Sequence, residues 1–246
     1  MVFSEEQLQR YSRHLSLPVI GKSGQKKISE AKVLLVGIGG LGSSAGYYLA
    51  AAGAGTLTLI DDDLVELSNL QRQIAHTVQS LGRPKVASAS ETFRSLNPDV
   101  QIITINGRLK ADTVCDVMRS NDIVVDCSDN FPTRFLVNDA CVRLGKPLVI
   151  GAVSGFEGQV TTVIPGDGPC YRCLFEAPPD TESPDHEGIV GVVPGIIGVL
   201  QATEVLKLIL GIGEVLKGEL LIYHALTATF RKMKIARRPD CSACSI

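Results

Sequence analysis

Apolar and polar positions along the chain fall into two repeating patterns, short apolar runs and longer stretches of helical spacing. The run Val33–Val36 has the length and composition of a strand buried on both faces. A turn at Gly37–Gly42 follows, then a helical segment, Leu41–Ala52, and a second strand, Thr56–Ile60. The succession recurs as a helix near Lys85–Leu96, a strand at Val100–Ile105, a helix at Ala111–Arg119 and a strand at Ile123–Asp126. A helix at Pro132–Leu144 and a strand at Leu148–Ile150 complete it. Such alternation predicts an α/β fold: a Rossmann-like, mostly parallel sheet with helices on both faces.

Two short helices, Ser4–Tyr11 and Gly21–Glu30, are expected before the first strand, with Pro18 between them. After Gly151 the texture changes. Phe156–Ile164 interleaves polar residues and reads as an antiparallel strand, and Gly166–Gly188, rich in Pro, Asp and Glu, reads as a mobile loop. Ile196–Leu210 is an apolar helix ended by Gly211, and Leu220–Tyr223 with Thr229–Ile235 forms a closing pair of strands. The expectation is one domain, 1–246, divided into N-terminal helices (1–30), a nucleotide-binding core (31–151) and an antiparallel C-terminal part (152–246).

Composition narrows the function classes. The 246 residues are 45% hydrophobic and 20% charged with a net charge of −2, and no Lys/Arg tract offers a nucleic-acid surface. The polar N-terminus lacks the apolar core of a signal peptide. Val33–Ile60 carries no charged side chain, but seven glycines break it, which favours a buried βαβ unit over a membrane span. A cytoplasmic protein is expected. Seven cysteines without an export signal point to metal binding or core packing rather than disulfides.

Gly37-Ile38-Gly39-Gly40-Leu41-Gly42 matches G-x-G-x-x-G between a strand and a helix, where bare backbone and a helix N-terminus meet a phosphate. Asp61-Asp62-Asp63 follows the second strand, placed to bind a ribose hydroxyl. A dinucleotide-dependent oxidoreductase would show the same residues. Chemistry at an ATP phosphorus needs more, because expelling pyrophosphate with a weak carboxylate nucleophile requires several positive charges and Mg²⁺. The chain supplies Ser68-Asn69-Leu70-Gln71-Arg72-Gln73, then Arg83-Pro84-Lys85, and later Cys127-Ser128-Asp129-Asn130, whose Asp129 suits Mg²⁺. Singly, Arg72 and Lys85 also read as surface charges, and Asp129 or Asn130 as a helix cap.

These segments, with Arg10-Tyr11-Ser12-Arg13-His14 near the start, Cys170-Tyr171-Arg172-Cys173 and a final C-x-x-C, resemble the MoeB/ThiF/HesA adenylyltransferases over nearly the whole chain. These are relatives of the ubiquitin-activating enzymes, and MoeB is the nearest in pattern. The resemblance implies ATP-dependent adenylation of the C-terminal glycine of a ubiquitin-like sulfur carrier ending in Gly-Gly. It implies phosphate contacts from Gly37, Gly39, Gly40 and Gly42, and ribose binding by Asp61 beside Asp63. Ser68, Asn69, Leu70, Gln71, Arg72 and Gln73 would line the triphosphate site, with Lys85 on the phosphates and Asp129, next to Asn130, on Mg²⁺. It further implies a homodimer in which Arg13 completes the partner's site, and carrier binding by the 152–246 part. Alternatives are an enzyme adenylating a peptide or tRNA carboxylate, a dinucleotide-dependent oxidoreductase, and a non-catalytic carrier-binding scaffold.

Cys170, Cys173, Cys241 and Cys244 form two C-x-x-C pairs, and four thiolates suit a closed, structural zinc site. The alternative is four buried or oxidised thiols. Cys115, Cys127 and Cys141 lie in apolar segments and read as core residues. Some relatives carry a carrier-linking cysteine in the loop before the apolar C-terminal helix. Here that slot falls near Pro184, and Glu176–Gly188 contains no cysteine. The chain also ends two residues after Cys244. The expectation is an enzyme that stops at the acyl-adenylate and leaves sulfur delivery to a separate donor.

Overall fold

The computed structural model describes residues 2–177 and 188–245. Eight strands form one sheet: β1 (Lys32–Val36), β2 (Thr56–Asp61), β3 (Gln101–Asn106), β4 (Ile123–Asp126), β5 (Leu148–Ser154), β6 (Glu157–Val163), β7 (Glu219–His224) and β8 (Thr229–Lys234). Their spatial order is β3-β2-β1-β4-β5-β6-β7-β8. The pairs among β3, β2, β1, β4 and β5 are parallel, and those from β5 to β8 antiparallel. The mostly parallel α/β sheet with an antiparallel extension is therefore present. Strand order reverses between β1 and β4, which opens a crevice at their carboxyl ends.

Alternate β1 side chains serve opposite faces, as the two-residue strand period requires. Val33 and Leu35 join a core built with α4 (Gly40–Ala52), α5 (Lys85–Leu96) and α9 (Val192–Leu210). Leu34 and Val36 join a second core with α6 (Val114–Arg119), α7 (Phe131–Leu144), α8 (Tyr171–Leu174) and the cysteine pairs. At the N-terminus come α1 (Glu5–Arg10), α2 (Ser12–Leu15) and α3 (Gly21–Glu30). Buried Tyr11 anchors this segment, its hydroxyl accepting from Asn97 Nδ2 at 2.9 Å.

Besides the added N-terminal helix α2 and a start of α6 at Val114 rather than Ala111, the structure differs from the sequence reading at four places. First, β5 runs on to Ser154, because its last residues pair with β6. Second, α9 starts four residues earlier than expected. Pro194 sits in its first turn, where a missing N–H costs nothing. Third, the 166–188 stretch contains α8, which carries Cys173 and buries Tyr171; residues 178–187 of that stretch lie outside the described residues. Fourth, two 3-10 turns, Leu67–Asn69 and Val78–Ser80, follow β2.

Helix α9 is long and apolar enough to cross a membrane by composition, but it packs on α4 and the sheet. A Cβ at Gly198 would lie 2.1 Å from Ser44 Oγ and 2.4 Å from the Leu41 carbonyl, so the two helices touch through bare backbone. Within α9, buried Glu204 accepts from Thr162 Oγ1 and the Leu216 amide, both at 2.7 Å.

Candidate active site

The crevice between β1 and β4 holds a cleft of about 600 Å³. Its floor is the glycine turn. Gly37 has φ +88°, and a Cβ there would meet the Cys127 carbonyl at 2.9 Å, so glycine is required where the chain leaves β1. The Ile38 amide donates to Asp61 Oδ2 at 2.6 Å, tying the turn to the end of β2. Gly39 precedes the first residue of α4 and offers no side-chain cap, so the first amides of that helix have no side-chain partner there. Gly37, Gly39 and Gly40 line the cleft; Gly42 does not. Its Cα faces the Gly37 carbonyl, where a Cβ would come within 2.1 Å, so Gly42 serves the tightness of the turn.

On the β2 side, Asp61 also accepts the Asp63 amide at 2.8 Å through Oδ1. Burial holds its carboxyl above the usual range, against the Ile38 hydrogen bond and the Lys85 charge. Lys85, first in α5 and buried, reaches Asp63 Oδ2 at 2.7 Å, and Arg108 reaches Asp62 at 3.1 Å. Two cations thus offset three neighbouring carboxylates. Half-buried Arg72 lines the cleft and donates to the Ser68 carbonyl at 3.1 Å, and Gln73 lines the cleft beside it. Arg83 pairs with Glu91 away from the cleft.

From β4 comes the opposite wall. Buried Asp126 accepts the Ser128 amide at 2.9 Å and its hydroxyl at 2.6 Å, fixing the loop that carries Asp129. Asp129 and Asn130 both line the cleft, and Asn130 Oδ1 also caps α7 through the Thr133 amide at 3.0 Å. Arg134, buried on α7, donates to the Ser128 carbonyl at 3.0 Å. A second cavity of about 220 Å³ adjoins the cleft and shares Asp129, Arg134, Val153 and Ser154 with it. Phe131, Leu174, Phe175 and Leu220 give this cavity an apolar wall.

Ser68, Asn69, Leu70 and Gln71 do not line the cleft. Asn69 is nearly buried and accepts the Glu66 amide at 3.1 Å, so it shapes the loop that presents Arg72 and Gln73. Gln71 lies against Gly191, just ahead of α9. Arg13 is exposed on α2 and is not among the cleft residues. Arg108, Ser128, Thr133 and Arg134 line the cleft without having been singled out in the sequence. For Arg134 the signal was its place one helical turn after Asn130; Arg108 follows β3 at the same carboxyl rim.

The four cysteines of the C-x-x-C pairs converge, all four Sγ atoms within 4.8 Å of one another. Cys170 and Cys241 are 3.6 Å apart, Cys173 and Cys244 3.5 Å. A tetrahedron with Zn–S bonds of about 2.3 Å has edges of about 3.8 Å, so the set fits a four-thiolate metal. Burial raises Cys241, but hydrogen bonds from the Cys244 and Ala243 amides and from the Cys244 and Cys170 thiols together bring its pKa down to about 7. Cys127 and Cys141 are buried, as core thiols should be, whereas Cys115 is half-buried. The slot near Pro184 lies outside the described residues.

The ThiF family model matches residues 11–243. The chain belongs to the ThiF family. Among its ThiF-family relatives, the SAMP-activating enzyme E1 of Haloferax volcanii is 50% identical over 97% of this chain and 89% of its own length. A sulfur carrier protein adenylyltransferase of Thermus thermophilus is 46% identical over 99% of this chain and 93% of its own length. The chain spans about half of some longer relatives, such as the Sus scrofa adenylyltransferase and sulfurtransferase MOCS3, at 48% identity, 98% of this chain and 54% of that one. The crystal structure of E. coli MccB with ATP superposes with a TM-score of 0.83 at 25% identity, covering 96% of this chain and 75% of that one.

Proposed function

We propose that this ThiF-family chain adenylates the C-terminal carboxylate of a ubiquitin-like sulfur carrier, using ATP and releasing pyrophosphate. The observation that carries the reading is near full-length likeness, at 46–50% identity, to two relatives named for sulfur-carrier adenylation and SAMP activation. In this reading the carboxylate attacks the α-phosphorus, and the P–O bond to pyrophosphate breaks. The amides at Gly39 and Gly40 receive phosphate oxygens at the start of α4, whose dipole favours anions. Asp61 receives the ribose, while Arg72 and Lys85 offset the charge that builds on the leaving pyrophosphate. Asp129 would hold Mg²⁺, which when bound neutralises the triphosphate; its exposed carboxylate has one hydrogen bond among the described residues, from adjacent Asn130 at 3.2 Å. The second cavity suits an extended carboxyl terminus, with apolar walls leading to Asp129 and Arg134.

Zinc in the four-thiolate site would pin the C-terminus to the middle of the chain and contribute folding free energy. Arg13 stands exposed and apart from its own chain's cleft, which supports a homodimer in which it serves the other copy. A cytoplasmic location with a separate sulfur donor completes the reading. The two near full-length relatives are named for SAMP activation and sulfur-carrier adenylation rather than for peptide adenylation or hydride transfer.

The deciding experiment is carrier-dependent ATP–pyrophosphate exchange. Candidate carriers ending in Gly-Gly should stimulate it and carriers lacking the last glycine should not. Binding of NAD without binding of ATP would refute the reading.

A further inference from the structure

His76 plays no part in the chemistry above and does not line the cleft. It is nevertheless nearly buried and has both ring nitrogens engaged. Nε2 lies 3.0 Å from the Ile38 carbonyl and Nδ1 3.0 Å from Ser88 Oγ on α5. A carbonyl can only accept, so Nε2 carries the proton. In the neutral ring Nδ1 then accepts from the Ser88 hydroxyl. Burial lowers the pKa of His76, which favours that neutral form.

Ile38 is therefore held at both ends, its amide by Asp61 at 2.6 Å and its carbonyl by His76 at 3.0 Å. The C=O and N–H of a planar trans peptide point in opposite directions. The first grip turns the Gly37 carbonyl away from Asp61, onto Gly42, where a Cβ would lie 2.1 Å from it. By the same geometry, the second grip turns the Gly39 amide away from His76. Gly39 lines the cleft, and no acceptor for its amide exists among the described residues.

We infer that His76 is a positioning residue of the phosphate-binding turn. By holding the Ile38 carbonyl, in a tautomer set by Ser88, it aims the Gly39 amide at an anionic oxygen of the nucleotide. The inference rests on the ATP reading above and adds a residue that touches no ligand. The segment after β2 thus serves the nucleotide twice, through Arg72 on the cleft wall and through His76 beneath the turn.

The test compares His76→Gln, whose amide nitrogen can replace Nε2 as donor, with His76→Phe, which keeps a ring and loses the donor. Calorimetric titration with ATP and Mg²⁺ should place His76→Gln within about threefold of the unaltered chain and His76→Phe about tenfold weaker, or about 1.4 kcal/mol. Affinity for the carrier should be unchanged in both. A folded His76→Phe chain that binds ATP normally, or loses ATP and carrier affinity equally, overturns the inference. Should His76→Phe fail to fold, the unaltered chain decides by NMR: the Gly39 amide resonance must shift on ATP addition and the His76 ring must show the Nε2–H tautomer. Absence of either overturns the proposal. If the unaltered chain binds no ATP, the ATP reading itself falls; normal ATP binding with an indifferent His76→Phe removes only the role of His76.

Discussion

Replacing Lys85 by methionine removes one charge and keeps an unbranched side chain of similar length. The structure shows one role for Lys85, and the proposed function adds a second that is separable from it. As a structural partner it meets Asp63 at 2.7 Å, but that carboxylate is 58% exposed, so water screens the pair to about 1 kcal/mol. Buried methionine also recovers packing, and for a chain of this size about 1 kcal/mol corresponds to a fall of roughly 2–4 °C in Tm. In its proposed role beside the phosphates its contribution would be larger, because a preorganised group facing charge that develops in the transition state is worth about 2.7–4 kcal/mol, or about 10²–10³ in rate. The two roles therefore separate cleanly. Lys85→Met should melt only a few degrees lower, yet lose at least about a hundredfold in carrier-dependent pyrophosphate exchange per folded molecule. Exchange within about threefold of the unaltered chain, with Tm several degrees lower, would reduce Lys85 to a partner of Asp63 and refute the reasoning.

Three further outcomes are expected. Gly198→Ala forces a methyl group against the Leu41 carbonyl and Ser44, and overpacking of this kind should cost about 1–3 kcal/mol; an unchanged melting curve would contradict the packing described. Elemental analysis should find one zinc per chain, with chelation lowering Tm, and zinc-free protein purified without chelator would refute the four-thiolate site. Asp129→Ala should stay folded but lose carrier-dependent exchange, and mixing it with Arg13→Ala chains should restore part of the activity through one intact composite site. A lack of rescue despite demonstrated subunit exchange would argue against a role for Arg13 across the interface.

The framework was legible where local pattern and tertiary packing agree. Val33–Val36, the glycine turn and Lys85–Leu96 appear where the sequence puts them, because a short apolar run, a G-x-G-x-x-G motif and a helical period are each local signals. Less legible were features set by distant partners. The end of β5 depends on β6, and α9 begins at Val192, ahead of the apolar run read from Ile196, with Pro194 in its first turn. In the site, the motif residues Gly39, Asp61, Arg72, Lys85 and Asp129 reach the cleft, whereas Asn69, Gln71 and Gly42 shape the loops and turn around it. No spacing rule could sort these, since the difference lies in where the folded chain places each residue relative to the cleft. His76 was invisible because it acts on the Ile38 carbonyl, far from it in sequence, whereas Arg134 was signalled only by its place one helical turn after Asn130.

Helix α9 lies beyond Gly151 in sequence but forms one wall of the core beneath the glycine turn. Val193, Ile197 and Val205 are fully buried in the same cluster as Leu41, Ala45 and Leu49 of α4. At about 1.5–3 kcal/mol for each large apolar side chain, exposing the face these three cover would cost about 5–9 kcal/mol. That is comparable to the whole net stability of a typical domain, about 5–15 kcal/mol. The nucleotide-binding half is therefore not expected to fold without helix α9. The two halves should melt as one unit, and a fusion, duplication or transplant would be expected to carry them together.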